Sequence, residues 1–438
     1  MRTTFRAPIR SSNGNDVRRR DFLRLTALAG AAAAARAQSS VAARRAARVV
    51  VAGGGFAGST CALALRRLDP RIEVTLIDAD DRYVTCPMSN EALVGMRTIA
   101  SLSVDRAGLV RAGVRFVRDR IVAVDAVARR VRTASGTAFA YDRLVVAPGI
   151  RFLWGTPEGY DESAAAIMPH AWNAGRQTEL LAARLRAMDD GGIVAISVPS
   201  GLMRCPPGPY ERASLIAGFL NQHKPRSKVL IFDANNHFPR QDVFTAAWKE
   251  HYGDIVEWIS VVDGGAVLRV DAARSALYTS NGPQRVAVAN VIPPQAPGEL
   301  ALTAALASGH GWCPIDPVTF ESRLVSRVHV VGDACIADAM PKSASAACSQ
   351  ALQCAAAIVA ALEEREAPPP TFESVCYSLL APNDALSIHG RFEVSEHEIR
   401  AVSAIADAAF DSMHAHGSDE VARADEWYRE IRRTAFGA

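Results

Sequence analysis

Arg48-Val49-Val50-Val51-Ala52-Gly53-Gly54-Gly55-Phe56-Ala57-Gly58 decides the fold. Its first five residues read as a buried strand, because β-branched side chains without polar alternation suit a strand covered on both faces. The run enters Gly-x-Gly-x-x-Gly at Gly53, Gly55 and Gly58, and a helical pattern follows through Leu68. A second strand, Glu73 to Ile77, ends at Asp78. Strand, glycine turn, helix, strand and acid together form a dinucleotide-binding unit. The glycines allow a tight turn and close approach of a pyrophosphate, the helix N-terminus meets the phosphates, and Asp78 is placed to accept from a ribose.

Outward from this unit the chain has 438 residues, 49% hydrophobic and 22% charged. That composition excludes a disordered chain or a small disulfide-stapled scaffold. Charge is uneven: residues 1–37 hold eight Arg against two acidic residues, and the remainder holds 41 basic against 44 acidic. A slightly acidic body argues against a nucleic-acid partner, since phosphate contacts need a basic face.

Residues 1–37 read as an address. Arg18-Arg19-Arg20-Asp21-Phe22-Leu23-Arg24 precedes an uncharged run, Leu25–Ala35, and Ala35-Arg36-Ala37 fits a small-residue cleavage site. Paired Arg before Phe-Leu resembles a twin-arginine export signal, so the expected location is periplasmic. No later apolar run is expected to reach membrane length, so no transmembrane segment is expected.

Two later stretches select FAD. Tyr141 to Gly149 resembles the strand and turn that return to the first domain in two-dinucleotide flavoproteins. Val328-His329-Val330-Val331-Gly332-Asp333-Ala334 resembles their Gly-Asp motif, where Asp333 would hold the ribityl chain ahead of a helix aimed at the flavin. Between them, Gly192–Val198 and Lys228–Phe232 with Asp233 read as strands of a second Rossmann-like unit. Its phosphate loop is instead Pro199-Ser200-Gly201-Leu202-Met203-Arg204-Cys205-Pro206-Pro207-Gly208-Pro209-Tyr210-Glu211. Prolines remove the N–H groups a pyrophosphate needs, so the nicotinamide site reads as lost.

All eight Cys lie beyond residue 37. No Cys-x-x-Cys-His, Cys-x-x-Cys or His-Glu-x-x-His occurs, so neither haem nor metal is expected in this chain. Cys205 sits in the proline loop, before a helix expected near Glu211, and Cys313 sits in Gly311-Trp312-Cys313-Pro314. Both loops return toward the flavin. A redox disulfide, a structural disulfide and two buried thiols are all compatible with that placement. Glu211 is a candidate proton shuttle. Cys86, in Tyr83-Val84-Thr85-Cys86-Pro87-Met88-Ser89, either bonds to the flavin or is a buried thiol. Lys342 is either a cation facing the flavin or a solvated surface residue. Cys61, Cys348 and Cys354 read as core residues, Cys335 and Cys376 carry no assignment, and His170 reads as structural.

These stretches, with Ser89-Asn90-Glu91, Arg204 to Ser214, Gly332 to Ala337, Cys376-Tyr377-Ser378 and Ala381-Pro382, resemble the flavoprotein subunit of flavocytochrome c sulfide dehydrogenases. The resemblance implies an α/β fold: two Rossmann-like dinucleotide-binding domains of glutathione-reductase type plus a C-terminal α+β domain. The expected boundaries are 46–151 with 287–366 for FAD, 152–286 for the degenerate second unit, and 367–438 for a C-terminal interface domain. It further implies FAD linked covalently through Cys86, a Cys205–Cys313 redox disulfide attacked by sulfide, Glu211 as acid–base, and a c-type cytochrome partner. Pro87 departs from the aromatic the family can carry there, and Asp78 from a Glu. The stretch Ile388–Asp425 matches poorly, and its Ala-rich part, 401–409, looks helical. A sulfide:quinone oxidoreductase shares fold and cysteines, a non-catalytic flavoprotein partner of a sulfur-oxidising system shares the fold, and an NAD-linked disulfide reductase is disfavoured by the proline loop.

Overall fold

The computed structural model describes residues 45–307, 311–402 and 416–437. The export-signal reading of residues 1–37 lies outside them. In chain order the elements that matter are β1 (Arg48–Ala52), α1 (Phe56–Leu68), β2 (Glu73–Asp78), β3 (Arg115–Arg118) and β4 (Arg143–Val146). Then come β5 (Ile193–Val198), α2 (Gly208–His223), β6 (Lys228–Asp233), β7 (Val256–Ile259), β8 (Val288–Val291) and β9 (Val328–Val330). The chain closes with α3 (Ala344–Leu362), β10 (Thr371–Ala381), β11 (Asp384–Ser395), β12 (Glu398–Ala401) and α4 (Ser418–Phe436).

The first sheet is parallel throughout, in the order β9-β4-β1-β2-β3. Val49, Val51, Leu76, Leu144, Val145 and Val328 are fully buried in it. The second sheet is also parallel, in the order β7-β6-β5-β8. The chain leaves the first sheet through Ile150–Phe152 and returns through Gln295–Pro297, which pair antiparallel. This crossing sets the ends of β1, β4 and β9 near the loops after β5. The third layer is antiparallel, β10-β11-β12, with α4 packed on β11 and meeting β10 through Trp427 on Tyr377. Two dinucleotide-type units and a separate C-terminal α+β layer are thus the architecture, as the family resemblance implies.

Three expectations are corrected. The helix after the proline loop begins at Gly208, not near Glu211, because Pro209 is tolerated in a first turn whose N–H groups have no intrahelical partner. Ala401 ends a strand rather than opening a helix, and 403–409 lies outside the described residues. Ala344–Leu362 does reach membrane-spanning length and apolarity, but it is a mostly buried helix packed on α1 and β10, which accounts for its composition.

Candidate functional site

The glycine turn is held by two demands. Gly53 has φ +102°, and a Cβ on it would lie 2.3 Å from the Ala147 carbonyl oxygen. A Cβ on Gly58 would lie 1.9 Å from the Gly53 oxygen, so helix and strand close only over glycine. Gly55 differs: a Cβ there would meet nothing nearer than the Tyr83 ring at 3.7 Å, and its φ of −75° is ordinary. The space over Gly55 is therefore open on the protein side. Asp78 at the end of β2 accepts from the Gly54 N–H, and its other oxygen is 3.6 Å from Arg106. Arg106 is 4% exposed, donates to the Gly54 and Asp80 carbonyls, and leaves its Nε without a partner.

Asp333 lies in a 3-10 turn, Gly332–Ala334, that follows β9, with Gly332 at φ +79°. The next α-helix, α3, starts only at Ala344 and is capped by Ser343, so no α-helix follows the Gly-Asp motif directly. Burial pushes the Asp333 carboxyl up, while Arg204 and Lys342 pull it down. Lys342 is no solvated surface residue. Its ammonium donates to the Asp333 and Cys335 carbonyls at 2.7 and 2.9 Å and lies 3.8 Å over the Trp312 ring.

Both candidate redox cysteines hang from this segment. The Cys205 N–H donates to the Lys342 carbonyl at 2.8 Å, and the Cys313 N–H donates to the Ala334 carbonyl at 2.9 Å. The Cys205–Cys313 disulfide is not formed; both are free thiols. Cys205 takes a left-handed φ of +55°, and its sulfur packs on Gly208 at the start of α2. Burial raises the Cys205 thiol far above its usual value, and raises Cys313 to about 12 against the pull of Lys342.

Glu211 is in the first turn of α2 rather than on a loop. Its Oε2 accepts from Asn90 Nδ2 at 2.6 Å and its Oε1 from the Leu379 N–H at 3.0 Å. Burial pushes it up to about 7, and these two hydrogen bonds oppose the rise. Asn90 is positioned by Arg212, which is 2% exposed, donates to Asn90, Asn290 and the His170 and Ala171 carbonyls, and lies over the Trp172 ring. Burial lowers His170 to about 3, and its Nδ1 accepts from the Trp172 N–H, a structural part as expected.

Cys86 follows the short strand Arg82–Val84, and its thiol faces the Trp172 carbonyl at 3.9 Å. Its neighbour Thr85 is tied to Tyr428 of α4, hydroxyl to hydroxyl, at 2.6 Å. Arg204 also donates to the Trp172 carbonyl, and its backbone N–H to Gln295 Oε1. Trp172 Nε1 and Gln295 Nε2 are buried without a hydrogen-bond partner. Arg106 Nε, beside the glycine turn, is a third such donor. An anionic, acceptor-rich group such as FAD fits those residues.

The second unit also opens, onto a cavity of about 350 Å³ lined by Gly201, Tyr210, Asn235 and Phe238, but its acid is already taken up. Asp233 at the end of β6 is fully buried and already accepts from Tyr210 at 2.7 Å, Trp258 at 2.9 Å and Asn235. Tyr210 stacks on Phe238 with ring centroids 3.7 Å apart. Aromatic rings and a satisfied carboxylate stand where a nicotinamide dinucleotide's ribose would be read. Sequence reading missed Arg106, Asn90, Arg212 and Trp172 as site residues. Asn90 carried a signal, standing four residues after Cys86 in a quoted stretch; Arg106 carried none. Cys61, Cys348 and Cys354 are core residues, as expected.

A glycine cradle and an acid on the second strand, in a chain with two Rossmann-like units, define a flavoprotein of the pyridine nucleotide-disulfide oxidoreductase class. Residues 47–167 match the pyridine nucleotide-disulphide oxidoreductase model. Residues 178–293 match the central model of the sulfide dehydrogenase [flavocytochrome c] flavoprotein chain, and 368–436 the flavin-binding model of flavocytochrome c sulphide dehydrogenase. The sulfide dehydrogenase [flavocytochrome c] flavoprotein chain of Chlorobaculum thiosulfatiphilum is 58% identical over 35 residues, 8% of this chain and 73% of that one. The chain belongs to the flavocytochrome c sulfide dehydrogenase flavoprotein family, and its cofactor is a flavin.

A sulfide-quinone reductase of Aquifex aeolicus (strain VF5) is 30% identical over 175 residues, and the match spans 39% of each chain. The solved sulfide:quinone oxidoreductase of Aquifex aeolicus shares the fold at a TM-score of 0.71 and 19% identity, covering 90% of this chain and 93% of that one. A ferredoxin reductase of Rhodopseudomonas palustris shares it at 0.59 and 19%, covering 78% and 82%.

Proposed function

We propose that this chain oxidises sulfide at the Cys205–Cys313 pair, with FAD as its redox group, and delivers the electrons to a c-type cytochrome. One observation carries the reading: the backbone N–H groups of Cys205 and Cys313 both donate to the segment Ala334–Lys342, which directly follows Asp333 of the Gly-Asp motif. Gly53, Gly55, Gly58, Asp78, Arg106, Asp333 and Lys342 would hold the cofactor, and Cys86 would link it covalently. Bound FAD supplies an acceptor of electron pairs that returns electrons singly.

In the oxidised pair, hydrosulfide attacks one sulfur. The Sγ–Sγ bond breaks, and one cysteine becomes a persulfide while the other leaves as thiolate. Glu211, with its carboxyl near neutrality, takes or returns the proton at Cys205. Lys342 favours a thiolate at Cys313. The proline loop, the satisfied Asp233 and the Tyr210 ring support the absence of a nicotinamide route. Arg18 to Leu23 supports export by a twin-arginine-type route to the periplasm.

A second reading replaces the cytochrome with a quinone. The longer likenesses, to the sulfide-quinone reductase of Aquifex aeolicus in sequence and to its sulfide:quinone oxidoreductase in structure, favour it. The matches to the two flavocytochrome c models and the charged face of α4 (Arg423, Arg429, Arg432, Arg433) favour the cytochrome.

The test is an anaerobic absorbance titration of the flavin-loaded protein with sulfide in one cuvette and NADH in another. Sulfide alone bleaches the flavin if the reading holds. Bleaching by NADH alone overturns it, and bleaching by neither favours a non-catalytic partner. Reoxidation by cytochrome c, set against reoxidation by a short-chain ubiquinone, decides the acceptor.

A further inference from the structure

Cys376, in the middle of β10, belongs to no part of the chemistry above, yet it shares a chamber with Cys205. A cavity of about 20 Å³ is lined by both residues together with Pro206, Pro207, Ser343 and Phe392. That is room for one atom of the size of water or sulfur, for which about 10–15 Å³ suffices. Its walls are otherwise nearly all carbon. Burial raises the Cys376 thiol above its usual value, and Ser343 and Ser374, whose hydroxyls are 3.2 Å apart, oppose the rise. The Glu211 carboxyl acts electrostatically on both Cys205 and Cys376. Cys313 has another neighbourhood: it is fully buried, its backbone pairs with that of Cys335, and its charged neighbour is Lys342.

We propose that Cys376 is a third redox thiol, which takes the sulfane sulfur from a persulfide on Cys205 through this one-atom chamber. The inference rests on the sulfide reading above and assigns roles within it. Hydrosulfide attacks Cys205, and Cys313, beside the Lys342 ammonium, is the leaving thiolate. The Cys376 thiolate then attacks the outer sulfur of Cys205–Sγ–SH. The bond from Cys205 Sγ to that sulfur breaks, and the bond from Cys376 Sγ forms. Glu211 receives the Cys376 proton and returns one to Cys205. The transfer is redox-neutral and needs no further oxidant. A second hydrosulfide attacks the transferred sulfur, leaves as hydrodisulfide and restores the Cys376 thiol. Cys205 is meanwhile free of cargo.

The experiment follows the extra sulfur. Flavin-loaded oxidised protein receives one equivalent of sodium hydrosulfide anaerobically. It is quenched with acid, alkylated and mapped by peptide mass. The wild type should carry the extra sulfur on the Cys376 peptide. In Cys376→Ser it should stay on the Cys205 peptide. Bleaching of the flavin with the extra sulfur confined to Cys205 or Cys313 in the wild type, at early and late quench times alike, overturns the proposal while leaving sulfide oxidation standing. No bleaching and no extra sulfur on any cysteine overturns the sulfide reading itself. Because the deciding map is made on the wild type, a variant that folds poorly does not shield the proposal.

Discussion

Asn90 Nδ2 stands 2.6 Å from Glu211 Oε2, joining the short helix after Cys86 (Ser89–Leu93) to the first turn of α2. The contact holds the carboxyl beside Cys205 while burial pushes it up to about 7. A general base of that kind gains power as pH rises through neutrality. Flavin bleaching at a constant hydrosulfide concentration, followed by stopped flow, should therefore rise along a limb centred near 7. Glu211→Gln should lose that limb and slow the step by about a hundredfold. A variant with an unaltered pH profile removes Glu211 from the chemistry.

The same carboxyl links stability to pH. Its folded value, about 7, exceeds the ordinary 4.5, so between those values the folded chain binds a proton that the unfolded chain has lost. The contribution is complete below about 4.5 and is lost as pH rises through about 7, a change of roughly 3 kcal/mol. Urea unfolding of the wild type and Glu211→Gln on both sides of this window should show the wild type losing ground to the variant as pH rises. Parallel curves would contradict the raised value.

Gly55 and Gly58 separate folding from cofactor binding. Gly58→Ala puts a methyl 1.9 Å from the Gly53 oxygen, and overpacking of this kind costs about 1–3 kcal/mol or more. Gly55→Ala meets only the Tyr83 ring at ordinary contact distance. Thermal melts should find Gly55→Ala close to wild type and Gly58→Ala clearly lower. The flavin-to-protein ratio should fall in both. Full flavin content in Gly55→Ala would place the cofactor elsewhere.

Cys86 is tested by denaturation alone. Trichloroacetic acid should leave yellow flavin on the wild-type precipitate, while Cys86→Ser should release it to the supernatant. Release from both proteins would exclude a thioether at this position.

Arg106 is predicted to serve fold and cofactor together. Breaking a buried ion pair by removing one partner costs about 3–5 kcal/mol, and Arg106→Leu leaves Asp78 and the Gly54 carbonyl without their cation. The midpoint of unfolding and the flavin content should both drop. A fully loaded and stable variant would reduce Arg106 to packing.

How far the chain could be read without coordinates varied with the kind of signal. The first Rossmann-like unit was legible because its requirements are local: β-branched residues 49–51, glycines at fixed spacing, and an acid at the end of the next strand. The loss of a nicotinamide site was an expectation drawn from prolines; the Tyr210 and Trp258 bonds to Asp233 that support it are tertiary. Arg106 and Arg212 were invisible because a buried arginine has no sequence signature; their partners lie 28 and 122 residues away, at Asp78 and Asn90. Glu211 was found but put on a loop, since Pro209 reads as a breaker where a helix start permits it. Cys376 was unassigned for a related reason: only strand pairing in β10 brings it to Cys205. The sequence cannot announce a neighbour 171 positions away.

The hydroxyl pair of Thr85 and Tyr428 spans 343 positions of chain, and Phe436 packs against both Phe56 and Tyr83. The loop that carries Cys86 is thus finished by residues made long after it on the ribosome. A nascent chain that has already formed β1, α1 and β2 still lacks one wall of its flavin cradle, and contacts of such long range form late. Order of synthesis and order of completion run opposite ways here, so cofactor capture waits on translation of α4. A chain stopped short of Tyr428 should leave the ribosome colourless.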